Sequence, residues 1–317
     1  MRIFDNANYN FIRWRWHALI LSVVLIWAGV ATIFLRGGLP LGIDFSGGTV
    51  VVMQFDQPTN EDAVRTALGS VGSEAIVQRY GGGSTAPNSI MVRLPQAGAQ
   101  EANLDADSRK IEETIRSANI GTFKVLSRDI VGPTVGKDLQ WKGISATLTA
   151  LGGILIYVAL RFRLTFALGA IVATFHDILV TLVLLTWFGY DLSLNVIAAI
   201  LTIAGYSVND TIVVFDRVRE NQRTMRREPL DQIVNKSVNQ TLGRTIITSG
   251  TTFLAVLALY IFGGEVLRSF AFTMIVGIIT GTYSTVFIAA AIAIILSRRP
   301  AATQQTARSA EARRRRA

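Results

Sequence analysis

Six long apolar stretches dominate this 317-residue chain. About 20 apolar residues are enough to cross a hydrocarbon core of about 30 Å, and each stretch is close to that length. A soluble domain can bury one helix of this kind, but it cannot bury six. The sequence therefore predicts an α-helical polytopic membrane protein with six transmembrane helices, which contain residues 17–35, 143–160, 164–188, 194–215, 246–262 and 270–296.

The basic residues predict how the chain crosses the membrane. Residues 1–16 carry three Arg and one Asp, and residues 298–317 carry seven Arg and one Glu, whereas residues 36–138 carry ten basic and twelve acidic residues. Basic segments stay on the cytoplasmic side. We therefore expect an inner-membrane protein with a cytoplasmic N-terminus (1–16), a first transmembrane helix (17–35), a periplasmic domain (36–138), a bundle of helices 2–6 (139–297) and a basic cytoplasmic tail (298–317).

The composition also limits the kinds of site that are expected. The chain contains no Cys, which rules out disulfides and thiolate metal ligands. We expect no cofactor, no metal and no enzymatic reaction. The Arg-rich tail is expected to lie on anionic lipid. It is not expected to bind nucleic acid, because no basic surface with interleaved aromatic residues accompanies it.

The segment between the first two apolar stretches is long enough for one small domain. Short β-branched runs alternate there with segments typical of helices, in the order β-α-β-β-α-β. This order is that of ferredoxin-like α+β domains. The strands are predicted at 49–55, 75–80, 89–94 and 122–130, one helix runs from an N-cap at Thr59 to Gly72, and the other spans 105–119.

Asp210 is the most informative ionisable residue, because a charge inside a membrane is normally paired or functional. It follows Leu194 by sixteen residues, or roughly 24 Å along a helix. We predict a functional role for it. Arg244 enters the next helix from the same side, where it can pair with Asp210 or extend to the interface. The hydroxyl of Thr248, one turn further, fits a polar pathway and helix packing equally well.

His176 and Asp177 lie near the middle of the third apolar stretch. Adjacent helical positions point about 100° apart, so we do not expect both side chains to face one partner. A structural hydrogen bond and proton handling fit either residue, which leaves them as weaker candidates for the site. Gly277 and Gly281 form a GxxxG pattern typical of close helix packing, either within the chain or against a partner.

Four motifs together resemble the SecD/SecF family of the resistance-nodulation-division superfamily. The sequence GIDFSGG at 42–48 is similar to the family's first marker, and VGPTVG at 131–136 is similar to its second. Residues 205–221, which contain Asp210, and RTIITS at 244–249 are similar to the motifs of its fourth and fifth transmembrane helices. The resemblance covers about residues 10–298.

The resemblance implies a subunit that pairs with SecD, works beside the SecYEG channel with YajC, and uses the proton gradient to help move unfolded polypeptide outward. The family's membrane Asp and Arg correspond to Asp210 and Arg244, and its hydroxyl corresponds to Thr248. With Asn209, the neighbour of Asp210 in the same motif, these residues form the candidate proton-conduction site. Asp210 is the residue to which the resemblance assigns proton conduction.

Two other classes of protein remain as alternatives. Half of a proton-driven efflux transporter would belong to the same superfamily, but such pumps carry much larger external domains than residues 36–138 can form. A sensor anchored by its helices would have no use for a carboxylate at Asp210. The expected function is therefore accessory protein export.

Overall fold

The computed structural model describes residues 7–69, 75–80, 88–94 and 104–297. Six of its helical segments are long and apolar enough to span a membrane, which confirms the predicted number. In chain order the elements are α1 (Arg15–Leu35), α2 (Ile43–Ser46), β1 (Gly48–Phe55), α3 (Glu61–Leu68), β2 (Ile76–Tyr80), β3 (Ser89–Leu94), α4 (Leu104–Ser117), β4 (Phe123–Val131), α5 (Pro133–Arg161), α6 (Leu164–Trp187), α7 (Leu194–Thr224), α8 (Leu230–Phe262), α9 (Gly264–Ser284), a π-helical segment (Thr285–Ala289) and α10 (Ala290–Ser297).

The domain between the first two spans has the predicted ferredoxin-like topology. Its four strands form one antiparallel sheet in the order β2-β3-β1-β4, which is the order of a split β-α-β fold. Helices α3 and α4 cover one face, where Val64, Leu68, Ile111 and Ile115 are fully buried. Alternate residues of β1, including Val51 and Met53, fill the same core, because successive strand residues point to opposite faces.

Some predicted element ends are displaced in the structure. The N-cap of α3 is Asn60 rather than Thr59, because the Asn60 side chain accepts from the Asp62 amide at 3.1 Å. Gly72, the predicted end of this helix, lies outside the described residues. Helix α5 begins at Pro133, inside the segment assigned to the domain, because proline suits the first position of a helix.

The spans differ in how far the rest of the chain covers them. In the third, fourth and sixth spans (α6, α7 and α9 to α10) at least half of the most apolar window is buried, whereas α1, α5 and α8 are largely exposed along theirs. Helices α7 and α8 continue past the apolar residues and pack together there through Val218, Val234 and Val238. The buried spans therefore form the centre of the bundle, and α7 runs through it.

Small residues let the central helices approach closely. A Cβ atom at Gly277 would lie 2.2 Å from the Ile203 side chain, and one at Gly281 would lie 3.2 Å from Ser207. The GxxxG pattern on α9 therefore packs within the chain, against α7. Gly169 on α6 makes a similar approach to the π-helical segment, where its Cβ would lie 2.7 Å from the Ala289 carbonyl oxygen.

The domain is joined to the bundle by the short helix α2 and the glycines around it. The Gly42 amide donates to the Leu192 carbonyl at 2.7 Å, and the Leu192 amide donates to the Pro40 carbonyl at 2.7 Å. A side chain at Gly42 would approach Leu192 O at 3.0 Å. Gly47 and Gly48 have φ angles of 71° and 122°, which favour glycine. These contacts explain why the first motif is rich in glycine.

Candidate functional site

Asp210 lies on the inner face of α7 and is buried. Its Oδ1 accepts a hydrogen bond from the Thr245 hydroxyl of α8 at 2.7 Å. The Thr285 hydroxyl is close to the carboxylate and also lies 3.0 Å from the Thr211 hydroxyl, and either of these two hydroxyls can be the donor. Among the described residues, the second oxygen, Oδ2, has no well-formed hydrogen bond. Asp210 is therefore a buried carboxylate with one oxygen that lacks a well-formed hydrogen bond.

Of the two alternatives for Arg244, the structure does not form the ion pair with Asp210. Within the described part of the chain, no nitrogen of Arg244 lies within 4.0 Å of the Asp210 carboxylate. Thr245 contacts the carboxylate instead, because it lies on the face of α8 that packs against α7. Arg244 is the preceding residue and points outward, where it is exposed.

Two other predicted site residues also point away from the buried carboxylate. Asn209 is exposed on the outer side of α7, and Thr248 is exposed one turn beyond Arg244. The Thr248 hydroxyl donates to the Arg244 carbonyl at 2.9 Å, so it satisfies its own helix rather than reaching Asp210. The structure thus places Asp210 inside the chain and Asn209, Arg244 and Thr248 on its outer surface, at the same level.

His176 and Asp177 form a buried network with three other helices. His176 Nδ1 lies 2.9 Å from Asp177 Oδ1, and Nε2 lies 2.9 Å from the Ser22 hydroxyl of α1. Asp177 Oδ2 accepts from the hydroxyls of Ser207 at 2.5 Å and Ser284 at 2.7 Å. The two residues do face different partners, as expected, but their side chains also contact each other.

The residues that surround the two carboxylates are mostly Ser and Thr that the sequence could not assign. Such hydroxyls usually bond to their own helix, as Thr248 does. Spacing gives one useful signal, since Ser207 and Asp210 are separated by one turn of α7 and so share a face. Ser284 and Thr285 stand where α9 changes to a π-helical segment, a distortion that is frequent at functional sites.

A second group of charges lies outside the membrane, where the domain contacts the loop before α7. Arg93 of β3 forms an ion pair with Asp191 and donates to the Leu41 carbonyl at 3.1 Å. Burial raises the pKa of Asp191, and Arg93 opposes the shift. Asp44 Oδ2 accepts from the Leu194 amide at 2.8 Å, at the first turn of α7. Asp44 thus satisfies one of the unpaired amides at this helix N-terminus.

Comparison with known proteins agrees with the four motifs. The family described as protein export membrane protein SecD/SecF, C-terminal, matches residues 110–299, and the SecD/SecF GG motif matches residues 33–59. The protein translocase subunit SecF of Rhodothermus marinus is 44% identical over 315 residues, which cover 97% of this chain and 99% of the relative. The SecF subunit of Escherichia coli O157:H7 is 39% identical and covers 91% of this chain.

Solved structures give the same result for the fold. The crystal structure of SecDF from Thermus superposes with a TM-score of 0.82 at 35% identity over 94% of this chain. SecDF in its super-membrane-facing form superposes with a TM-score of 0.66 at 34% identity. This chain spans 40% of the length of each SecDF chain. On the family matches and the full-length relatives, the chain belongs to the SecD/SecF protein-export family, among its SecF subunits.

Proposed function

We propose that this chain is the SecF-type subunit of a complex that uses the proton gradient to assist Sec-dependent protein export. The observation that carries the proposal is Asp210, a buried carboxylate with one unpaired oxygen. A carboxylate kept in an apolar bundle is expensive and is normally functional. Protonation would remove its charge, and the free oxygen can accept the proton without breaking the bond to Thr245.

SecD is the partner we propose for the outer surface of the bundle. An outward strip, formed by Thr202, Gly205 and Asn209 on α7 and Arg244, Thr248 and Thr251 on α8, is exposed on the single chain. Small and polar residues of this kind suit contact with protein, and an Arg that faces lipid is costly. In the complex, Arg244 can then pair with an acidic group of SecD or approach Asp210 as α7 and α8 move.

Gly205→Leu tests this interface. Nothing lies within 4 Å of a Cβ at Gly205, so the chain alone can accommodate the larger side chain. If SecD packs against the outward strip, the substitution should abolish co-purification with SecD. Gly153→Leu is the control, because its Cβ also meets nothing within 4 Å and the residue lies on α5, which is not part of the strip. Normal assembly of the Gly205→Leu variant would show that SecD does not bind at the outward strip.

The proposed orientation follows from the charges. We place both termini in the cytoplasm, the ferredoxin-like domain in the periplasm and the spans in the inner membrane. The basic tail at 298–317, which we propose lies on anionic lipid, is outside the described residues. SecYEG, YajC and the unfolded polypeptide in transit are the further partners that we propose.

The domain meets the bundle at a joint formed by α2, the glycines around it and the loop before α7. This joint connects protonation of Asp210 to movement of the domain. Helix α7 runs from Asp210 to Leu194, roughly 24 Å away, and Leu194 donates to Asp44 beside α2. The loop before α7 also carries Leu192, which is bonded to Pro40 and Gly42. A small displacement of α7 would therefore move α2 and the domain attached to it, which would bind or release the emerging chain.

Deletion of the gene tests the functional class. The export function predicts that precursors of secreted proteins accumulate in the cytoplasm and that growth recovers when the gene is restored. An efflux function predicts sensitivity to drugs with normal export. Precursor processing at the normal rate in the deletion strain would contradict the proposal.

A further inference from the structure

The network around His176 and Asp177 is not used by the function proposed so far. It joins four helices at the centre of the bundle, and Asp177, Ser207 and Ser284 in it are at most 1% exposed. Buried polar groups of this kind are costly unless every member is paired. The directions of the hydrogen bonds therefore indicate which atoms of the network hold protons.

The bonds on the His176 side run in one direction. The Tyr283 hydroxyl donates to the Ala18 carbonyl at 2.8 Å, so its oxygen is free to accept from the Ser22 hydroxyl at 3.2 Å. Ser22 then accepts from His176 Nε2 at 2.9 Å. Because a carbonyl oxygen can only accept, this chain of bonds requires a proton on Nε2.

The bonds on the Asp177 side determine where its own proton can reside. Oδ2 accepts from Ser207 at 2.5 Å and from Ser284 at 2.7 Å, while the more distant alternative acceptor for Ser284 is the Gly281 carbonyl at 3.1 Å. Oδ2 is therefore an acceptor. A proton held by the pair must lie between Oδ1 and His176 Nδ1, which are 2.9 Å apart.

The charge balance also requires a proton at this position. Without it, the pair would carry one negative charge, and no Arg or Lys among the described residues forms an ion pair with Asp177. A buried, unpaired carboxylate is strongly unfavourable. With one shared proton the pair is neutral overall, either as imidazolium and carboxylate or as imidazole and carboxylic acid.

We propose that His176 and Asp177 form a second proton-binding site, which holds one exchangeable proton between Nδ1 and Oδ1. This inference rests on the proposed proton-driven function. When the proton moves from Nδ1 to Oδ1, the Nδ1–H bond breaks and an Oδ1–H bond forms, and the hydrogen bond between the two atoms is kept with its direction reversed. Among the described residues, the ionisable group beside the pair is Tyr283 on α9, whose ring lies 6.1 Å from that of His176. Helix α1 contributes the Ser22 hydroxyl and α7 the Ser207 hydroxyl, one turn before Asp210.

The site is placed to act together with Asp210. Ser207, which donates to Asp177, precedes Asp210 by one turn of α7. Ser284, the other donor, precedes Thr285, which pairs with Thr211 next to Asp210. A movement of α7 that follows protonation of Asp210 would therefore lengthen the bonds to Asp177 Oδ2 and change which atom of the pair holds its proton.

Asp177→Asn separates proton binding from packing. The amide oxygen can accept from Ser207 and Ser284, and the amide nitrogen can donate to Nδ1 of a neutral His176, so every hydrogen bond of the network is kept. Only the exchangeable proton is lost. We expect the variant to assemble with SecD and to lose the gradient-dependent part of export in membrane vesicles.

Thr181→Val is the matched control, because it removes an equally buried hydroxyl that bonds only to the Asp177 carbonyl. Asp210→Asn is assayed in parallel. If Asp177→Asn exports normally while Asp210→Asn does not, the second site is wrong and the proposed function stands. If both export normally, the proton-driven function itself is wrong.

A spectroscopic measurement on the unmodified pair covers the case in which Asp177→Asn does not assemble. The chain has two His, so His17→Gln leaves His176 as the single source of a ¹⁵N-histidine signal in the complex with SecD. We expect Nε2 to carry a proton and the Nδ1 signal to shift when a proton gradient is imposed across the membrane. An Nε2 without a proton, or an Nδ1 signal that is identical with and without the gradient, would overturn the proposal.

Discussion

Asp210→Asn is expected to abolish the gradient-dependent part of export and to leave the ATP-dependent part intact. The amide oxygen can still accept from Thr245, which preserves the bond that joins α7 to α8. The group can no longer take up a proton. One proton that crosses a potential of about 100 mV supplies about 2.3 kcal/mol, which corresponds to about fiftyfold in an equilibrium between two states of the bundle.

The assay is precursor translocation into inverted membrane vesicles, with and without a protonophore. For the wild type, the protonophore should slow translocation, and for Asp210→Asn it should have no further effect. Asp216→Asn is the control, because Asp216 lies on the same helix but is partly exposed and pairs with Arg161 at 3.1 Å. A protonophore effect in Asp210→Asn equal to that in the wild type would mean that Asp210 is a structural group.

Arg93→Ala is expected to uncouple the external domain from the bundle. The Arg93 and Asp191 side chains are only 10% and 17% exposed. Removal of one partner from a buried ion pair typically costs about 3–5 kcal/mol, since it leaves an unpaired charge. Part of that cost is recovered if the domain undocks and Asp191 reaches water. We therefore expect a complex that assembles with SecD and takes up protons but does not stimulate export.

Hydrogen exchange at the joint reports undocking directly. The amides of Gly42 and Leu192 donate across the joint, so both should exchange faster in Arg93→Ala. Lys142→Ala provides the control, because it breaks an ion pair with Asp138 that is largely exposed and should have an effect of at most about 1 kcal/mol. Unchanged exchange at both amides would show that Arg93 does not hold the domain in place.

The pKa of Asp191 gives the sign of the pH dependence at the joint. Burial raises this pKa, so the docked state binds the proton more readily than an undocked state in which Asp191 is solvated. The pKa of Asp129 is raised as well, because burial and the nearby charge of Asp44 both raise it. Docking should therefore be favoured in acid and weaken as the pH around the domain rises through the raised pKa of these groups.

The sequence predicted most of the fold because its signals are local. Apolar length defines a span, and short β-branched runs define β1 and β3 within one residue of their observed ends. The sequence marked only the apolar parts of α7 and α8, whereas both helices continue beyond them and bury Val218 and Val234 there. Their polar outer faces hide this packing from a search for apolar residues.

The site was predicted less completely, because position along a helix does not give the direction of a side chain in a bundle. Asp210 was identified because a charged side chain inside a membrane has an unfavourable free energy. Depth and the family motif made a pair with Arg244 one of two alternatives, but a difference of one residue rotates a side chain by about 100°. Thr245 therefore takes the contact, and Arg244 faces outward. The orientation of α8 against α7 decides this, and it depends on tertiary packing.

The path from the site to the domain was also invisible in the sequence. The contacts between Asp44 and Leu194, and between Arg93 and Asp191, join residues that are 150 and 98 positions apart. No local pattern links such positions. The first motif was recognised as a family marker, but the contacts that hold it against the loop before α7 follow only from the structure.

Asp210 is the proposed proton carrier, and its role can be measured as proton flux. The complex with SecD is reconstituted with SecYEG in vesicles that contain a pH-sensitive dye, and an imposed gradient is applied during translocation of a precursor. We expect proton uptake in the wild type and in Asp216→Asn, and none above background in Asp210→Asn. Wild-type proton uptake by an assembled Asp210→Asn complex would show that Asp210 does not carry the proton.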